Sequence, residues 1–119
     1  MDDLTAATEE LNDAIRRAEA FFATFSVPVE IPFEEGTKLG FGKYNREWNL
    51  YVVDAAGNAS ALLTASRLLR TLAAHQLPAM HAAILAAVET VETTTRDVRA
   101  ATAQIDAFLA ARSVEALKP

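Results

Sequence analysis

The stretch that decides the fold is Ile84 to Leu109, ILAAVETVETTTRDVRAATAQIDAFL, which contains neither glycine nor proline. Apolar or threonine side chains recur along it with alternating spacings of four and three residues, the pattern of one helical face. The members of this face are Ile84, Val88, Val91, Thr95, Val98, Thr102, Ile105 and Leu109. The spacing predicts a long helix from about residue 79 to 112, followed by a fraying tail at 113–119.

The opposite side of this helix consists of small residues. A solvent-exposed helix surface commonly carries Lys and Glu, whereas this one carries Ala and Thr. Because Ala is the best helix former, helix propensity alone explains such a surface. The alternative is that small side chains let a second helix approach closely, so that a protein partner or a second copy binds there. The candidate residues for this surface are Ala86, Thr93, Ala100, Ala103, Ala107 and Ala110.

Two further helices are predicted upstream. From Leu4 to Phe25 the apolar residues again follow spacings of four and three, and acidic residues precede them, which favours a helix at about residues 3–25. Residues 64–77 have helical spacing as well, but Pro78 follows them. Since proline lacks the backbone donor that a helix interior needs, we expect the helix to break there. The sequence therefore predicts a short helix that is separate from the long one.

The region 28–54, between the first helix and the short helix, alternates apolar and polar residues as strands do. Pro28 and Pro32 suit an edge of a sheet, because each removes a backbone donor. Asn45 and Arg46 suit the turn of a hairpin. We therefore expect an α+β, predominantly helical fold in one domain, residues 1–119. Its long N- and C-terminal helices pack together, with a small three-stranded antiparallel meander and the short helix between them.

Composition excludes several classes of function. Among 119 residues, 11 are Lys or Arg and 16 are Asp or Glu, so the net charge of -5 disfavours unspecific binding to nucleic-acid phosphates or anionic membranes. Without cysteine the chain has neither a disulfide framework nor a thiolate metal site. No signal peptide is recognisable, and no window reaches the roughly 18 apolar residues that a membrane span needs. We expect a soluble, cytoplasmic protein.

The predicted hairpin contains the only Trp and both Tyr residues. Gly40-Phe41-Gly42 followed by Lys43 resembles a fragment of the RNA-recognition-motif signature, although that signature has an aromatic residue where Lys43 stands. The resemblance implies aromatic side chains that stack on single-stranded nucleic acid beside positive charge. The alternative is that the aromatic residues fill the core. The possible contact residues of the hairpin are Lys43, Tyr44, Arg46, Trp48 and Tyr51.

No residue pattern indicates catalysis, a metal or a cofactor. His75 and His81 are separated by Pro78 and lack the spacing with which two helical histidines share a metal ion. We therefore expect a non-enzymatic protein-protein interaction or assembly module that self-associates through exposed helix surface. Two alternatives stay open. One is a small acidic accessory or inhibitor protein of a phage or mobile element, and the other is a single-stranded nucleic-acid binder that uses the hairpin.

Overall fold

The computed structural model describes the backbone of residues 2–117 and the side chains of residues 2–113. Within this range the chain forms two α-helices and a four-stranded antiparallel sheet in chain order, so the predicted α+β, mostly helical class is confirmed. The helices are α1 (Asp3–Ala23) and α2 (Arg67–Leu117), and a 3-10 turn at Leu62–Thr64 precedes α2. The strands are β1 (Val29–Pro32), β2 (Lys38–Tyr44), β3 (Glu47–Val53) and β4 (Ala59–Ala61).

The chain divides into two compact units, Met1–Ala87 and Val88–Pro119. The first unit contains α1, the sheet and the first part of α2, and the second contains the remainder of α2. Every buried apolar side chain that the structure describes belongs to the first unit. These core residues are Ile15, Phe22, Leu39, Phe41, Leu50, Val52, Leu62, Ala73, Met80 and Ile84. The organisation as one domain stays a prediction.

Helix α1 forms where the apolar spacing predicts it, and its N-terminus is capped by a side chain. The Asp2 carboxylate accepts a hydrogen bond of 2.7 Å from the backbone N–H of Thr5. This bond lowers the pKa of Asp2, because it stabilises the charged form of the carboxyl group. Ile15, Glu19 and Phe22 are the buried residues of the helix, and they share one face. The sequence pattern therefore places this helix correctly, with one charged residue on its buried face.

The inward face of the sheet is built by alternate residues of β2 and β3. Leu39 and Phe41 lie opposite Val52 and Leu50, respectively, and all four side chains are buried. The hairpin between the two strands closes with the predicted turn at Asn45 and Arg46, whose φ angles are 53° and 70°. Positive φ at both central positions is the shape of a type I′ turn, whose twist matches that of the strands.

The prediction of three strands was wrong, because β4 adds a fourth. Gly57 has a φ of 88°, a left-handed conformation that turns the chain back along β3. Tyr51 then pairs with Ala61, and Val53 pairs with Ala59. An Ala-Ser-Ala strand has low strand propensity and no apolar alternation, so the sequence pattern does not reveal it. The hydrogen bonds that the edge of β3 offers are what make it a strand.

The predicted helix break at Pro78 was also wrong. Residues 64–77 and 79–112 do not form two helices; α2 runs without interruption from Arg67 and contains Pro78. Ala73 and Met80, on either side of the proline, are fully buried, so core packing holds both flanks in helical conformation. The backbone also stays helical through Leu117, where a fraying tail was expected, and positions 118 and 119 of that tail lie outside the described residues.

Packing of the two long helices is limited to the first part of α2. Arg70 donates a hydrogen bond to the side chain of Asn12, and the ring of His81 lies 5.4 Å from the ring of Phe21. From Glu89 to Ser113, by contrast, every residue is exposed. Helix α1 has 21 residues and α2 has 51, so α2 is much the longer of the two.

Candidate functional site

The second unit carries a group of large apolar side chains that are more than half exposed. Their exposed fractions are 55% for Val91, 60% for Val98, 59% for Ile105, 57% for Phe108 and 54% for Leu109. Single exposed apolar residues are ordinary on protein surfaces, whereas a contiguous group of them marks an interaction site. These residues are therefore the first candidate for a functional surface.

Most of this group lies on the face that the heptad spacing predicts. We call the following six residues the exposed seam: Val91, Thr95, Val98, Thr102, Ile105 and Leu109. In heptad notation Thr95, Thr102 and Leu109 occupy a positions, and Val91, Val98 and Ile105 occupy d positions. Residues at a and d form the contact line of two-stranded coiled coils. The sequence identified this face as one helical stripe but did not show which face of the helix is exposed.

The seam contains threonine, and at one position the structure shows how its polar group is satisfied. The hydroxyl of Thr102 donates a hydrogen bond of 3.0 Å to the backbone carbonyl of Val98, one turn earlier. Because the hydroxyl is bonded within its own helix, a partner can cover Thr102 without leaving the hydroxyl unsatisfied. The seam is therefore compatible with burial at this position.

The two flanks of the seam differ in charge. Glu92, Arg99 and Asp106 occupy the e positions, beside the a residues, and all three are exposed. The g positions on the other flank are uncharged, being Thr94, Ala101 and Phe108. The guanidinium of Arg112 lies 5.1 Å from the centre of the Phe108 ring. One flank can thus form ion pairs with a partner helix, and the other cannot.

The small-residue surface predicted from the sequence is exposed as well. Its members Ala86, Thr93, Ala100, Ala103, Ala107 and Ala110 are all exposed, on positions other than a and d. These side chains offer far less apolar area than the valines, isoleucine and leucine of the seam. Whether a partner binds there stays a prediction, and the seam is the stronger candidate.

The five candidate residues of the hairpin do not form one surface. Lys43 and Trp48 pair across the strands, and their positions belong to the inward face of the sheet. The ring of Trp48 stacks on the buried Phe41, with 5.5 Å between centroids. Tyr44 and Tyr51 occupy the outward face, and Arg46 lies in the turn. The rings of Trp48, Tyr44 and Tyr51 therefore do not form one platform on which nucleic-acid bases could stack.

Tyr51 bridges three strands on the outward face. Its hydroxyl donates a hydrogen bond of 2.7 Å to the carboxylate of Glu30 in β1, and its ring stacks on Tyr44 at 6.4 Å. Gly40 of β2 lies between the two residues of this hydrogen bond, since it pairs with Glu30 on one side and with Tyr51 on the other. Burial, and then the hydrogen bond and charge of Glu30, raise the pKa of Tyr51 to about 12. Tyr51 thus has a structural role.

Glu19 is a buried carboxyl group that sequence reasoning missed. It is 8% exposed and accepts a hydrogen bond of 2.7 Å from the backbone N–H of Leu50. Burial raises its pKa, while the bond from Leu50 acts in the opposite direction. Leu50 lies just outside the part of β3 that pairs with β4, so Glu19 supplies the acceptor that a strand would otherwise supply. The available signal was its position between Ile15 and Phe22 on an apolar helical face.

The remaining titratable groups give no candidate for metal binding. Among the described residues there is no group of three or more His, Cys, Asp or Glu that could hold a metal ion. His75 is exposed, and His81 lies among the rings of Phe21, Phe22 and Phe25.

One described helix segment, Arg67–Ser113, is long and apolar enough in one 18-residue window to cross a membrane, by length and composition only. The expectation that no window is sufficiently apolar therefore needs correction. The segment also includes Ala73, Met80 and Ile84, which are fully buried in the first unit. Part of its hydrophobicity is thus used by the core.

Comparison with known proteins adds no relative to this description. No protein-family model matches the chain, and searches of the curated proteins and of the solved structures returned no match.

Proposed function

We propose that this protein is a non-enzymatic assembly module that binds another protein chain, foremost a second copy of itself, through the exposed seam. The observation that carries this proposal is the exposure of Val91, Val98 and Ile105, each more than half accessible, on a helix segment without a buried residue between Glu89 and Ser113. Such side chains stabilise a complex by about 1.5–3 kcal/mol each when they are fully buried.

The helix itself gains from association. Isolated helices are marginally stable in water, and most helical stability in proteins comes from packing of an apolar face. From Glu89 to Ser113 no side chain has that packing, since all of these residues are exposed. A partner helix on the seam supplies it, so binding and helix stabilisation are coupled.

The sheet offers a poorer surface for assembly. The two edge strands are β1 and β4. Strand β1 ends in Pro32, which has no backbone donor, and β4 has only three residues. Short edge strands and edge prolines are the features with which proteins prevent pairing with another chain. Assembly through the helix is therefore favoured over assembly through the sheet.

A protein partner also fits the seam better than a lipid bilayer does. From Val88 to Ser113 the helix carries seven charged side chains, which are costly inside a membrane. Four are acidic and three are arginines, so the segment is close to neutral and suits a partner of the same composition.

The test compares two aspartate substitutions on the same helix by sedimentation velocity over a range of concentrations. Val98→Asp places a charge in the middle of the seam, and Ala100→Asp places the same charge on the small-residue surface. We expect the native chain and Ala100→Asp to self-associate and Val98→Asp to be monomeric, with unchanged Trp48 fluorescence as evidence that the first unit stays folded. Loss of association in Ala100→Asp alone would assign the interface to the small residues. A native chain that is monomeric at every concentration would refute self-association.

A further inference from the structure

We propose that two copies of the chain pair their exposed seams in antiparallel orientation, with Glu92 of each copy beside Arg99 of the other. This inference rests on the proposed assembly function and adds the identity, direction and register of the partner. It follows from which flank of the seam carries charge and from the order of the charges along that flank.

Orientation follows from the asymmetry of the two flanks. In a parallel pair of helices, residues at e lie beside residues at g of the other helix. The g residues here are Thr94, Ala101 and Phe108, so a parallel pair leaves the charges at e without partners. In an antiparallel pair the e flank of one helix lies against the e flank of the other. The charged residues then meet each other, and the uncharged flanks meet as well.

Register follows from the order of the three charges at e, which are negative at Glu92, positive at Arg99 and negative at Asp106. When Val91 lies opposite Thr102 of the second copy, Glu92 comes beside Arg99, and twofold symmetry makes two such pairs. A shift that places Val91 opposite Leu109 brings Glu92 beside Asp106, so that like charges face each other. A further shift matches Arg99 with Asp106 but moves Val91 past Leu109, the last residue of the seam.

The same register distributes the threonines evenly. Thr95 lies opposite Val98 of the second copy, and Thr102 lies opposite Val91, so each threonine packs against a valine. In a parallel pair the same threonine of both copies would meet in one layer, because identical a residues face each other. Since valine and threonine have nearly the same shape but only valine is fully apolar, this register avoids layers that contain two hydroxyl groups.

Cysteine cross-linking tests the orientation directly, because the native chain has no cysteine. Val91→Cys and Thr102→Cys proteins are mixed in equal amounts, oxidised mildly, and analysed by intact mass. We expect the mixed disulfide dimer to predominate over both homodimers. Predominant homodimers would overturn the antiparallel orientation. A faster cross-link between Val91→Cys and Leu109→Cys would overturn the register.

Charge reversal tests the ion pairs in the native background. Glu92→Arg converts two attractive pairs into two repulsive ones, so we expect the dimer Kd to rise roughly tenfold. Glu92→Arg combined with Arg99→Glu restores the pairs and should return the Kd to near the native value. Asp97→Arg is the matched control, because it makes the same change of charge at an exposed c position, on the side of the helix away from the e flank.

The outcomes separate this inference from the proposed function. A dimer with mixed disulfides and rescue by the double variant supports both. A dimer in which Glu92→Arg behaves like Asp97→Arg, or in which homodisulfides predominate, overturns the antiparallel register and leaves assembly through the seam intact. A native chain that does not self-associate at any concentration overturns both.

Discussion

Substitution of Gly40 by alanine should destabilise the first unit, because the ring of Tyr51 occupies the space that a Cβ atom needs. A Cβ built on Gly40 would lie 2.3 Å from Cζ of Tyr51, far inside ordinary contact distance. The ring must therefore leave its position. With it the molecule loses the hydrogen bond of 2.7 Å to Glu30 and the stacking on Tyr44.

The size of the effect follows from those two interactions. A hydrogen bond to a charged group contributes about 1.5–3 kcal/mol, with the lower end applying to this exposed one, and an aromatic pair about 0.5–1.5 kcal/mol. Replacing glycine by alanine returns about 0.4–1 kcal/mol, since the unfolded chain becomes less flexible. We expect Gly40→Ala to lower the free energy of unfolding by about 1–2 kcal/mol.

Urea denaturation followed by Trp48 fluorescence measures this change, and Gly42→Ala is the matched control. At Gly42 the nearest atom to a built Cβ is Cβ of Pro28 at 3.4 Å, an ordinary contact, so that variant should be neutral or slightly more stable. In a Tyr51→Ala background, Gly40→Ala should cost nothing. Equal losses in both backgrounds, or equal losses for the two glycines, would refute the role of the ring. The pKa of Tyr51, about 12 in the native chain, should also fall toward 10.0 in Gly40→Ala.

Five further substitutions, at four positions, test other parts of the first unit. Because burial raises the pKa of Glu19 above 4.5, the free energy of unfolding should fall as pH rises through that raised pKa. Glu19→Gln should remove this pH-dependent loss, which urea titrations at several pH values measure. Glu19→Leu should cost about 1–3 kcal/mol, because it leaves the N–H of Leu50 without an acceptor. Arg46→Gly should stabilise the hairpin by about 1 kcal/mol in thermal denaturation, and Asn45→Gly by less, since asparagine tolerates positive φ. Pro78→Ala should raise the free energy of unfolding by about 2 kcal/mol. This is the cost of proline inside a helix, reduced because proline also makes the unfolded chain less flexible. An unchanged midpoint of thermal denaturation would contradict this prediction.

Local signals were sufficient for much of the fold. Helix α1 and the hairpin turn at Asn45 and Arg46 form where spacing and turn residues predict them, because neighbours in sequence determine both. The continuity of α2 through Pro78 was not predictable, since it depends on the burial of Ala73 and Met80 against distant residues. The cost of proline inside a helix was outweighed by contacts with residues that are distant in sequence.

The candidate site was predictable in its pattern but not in its exposure. The heptad spacing identified the face of Val91, Val98 and Ile105, and a face of this kind is as suitable for an internal core as for an external partner. The structure adds that residues 89–113 are all exposed, which the spacing alone does not reveal. The role of Glu19 was not predictable either, because it depends on where β4 ends. Pairing with β4 stops at Tyr51, so the N–H of Leu50 takes the carboxylate of Glu19 as its acceptor.

The separation of the buried core from the seam has a consequence for how such a chain can diverge in evolution. Every buried apolar residue that the structure describes precedes Val88, whereas the seam begins at Val91. In the proposed assembly, substitutions in the seam would change which chains recognise one another and would leave the core residues of the first unit unchanged. Duplicated copies of such a gene could acquire distinct pairing specificities by a few changes at Glu92, Arg99 and Asp106.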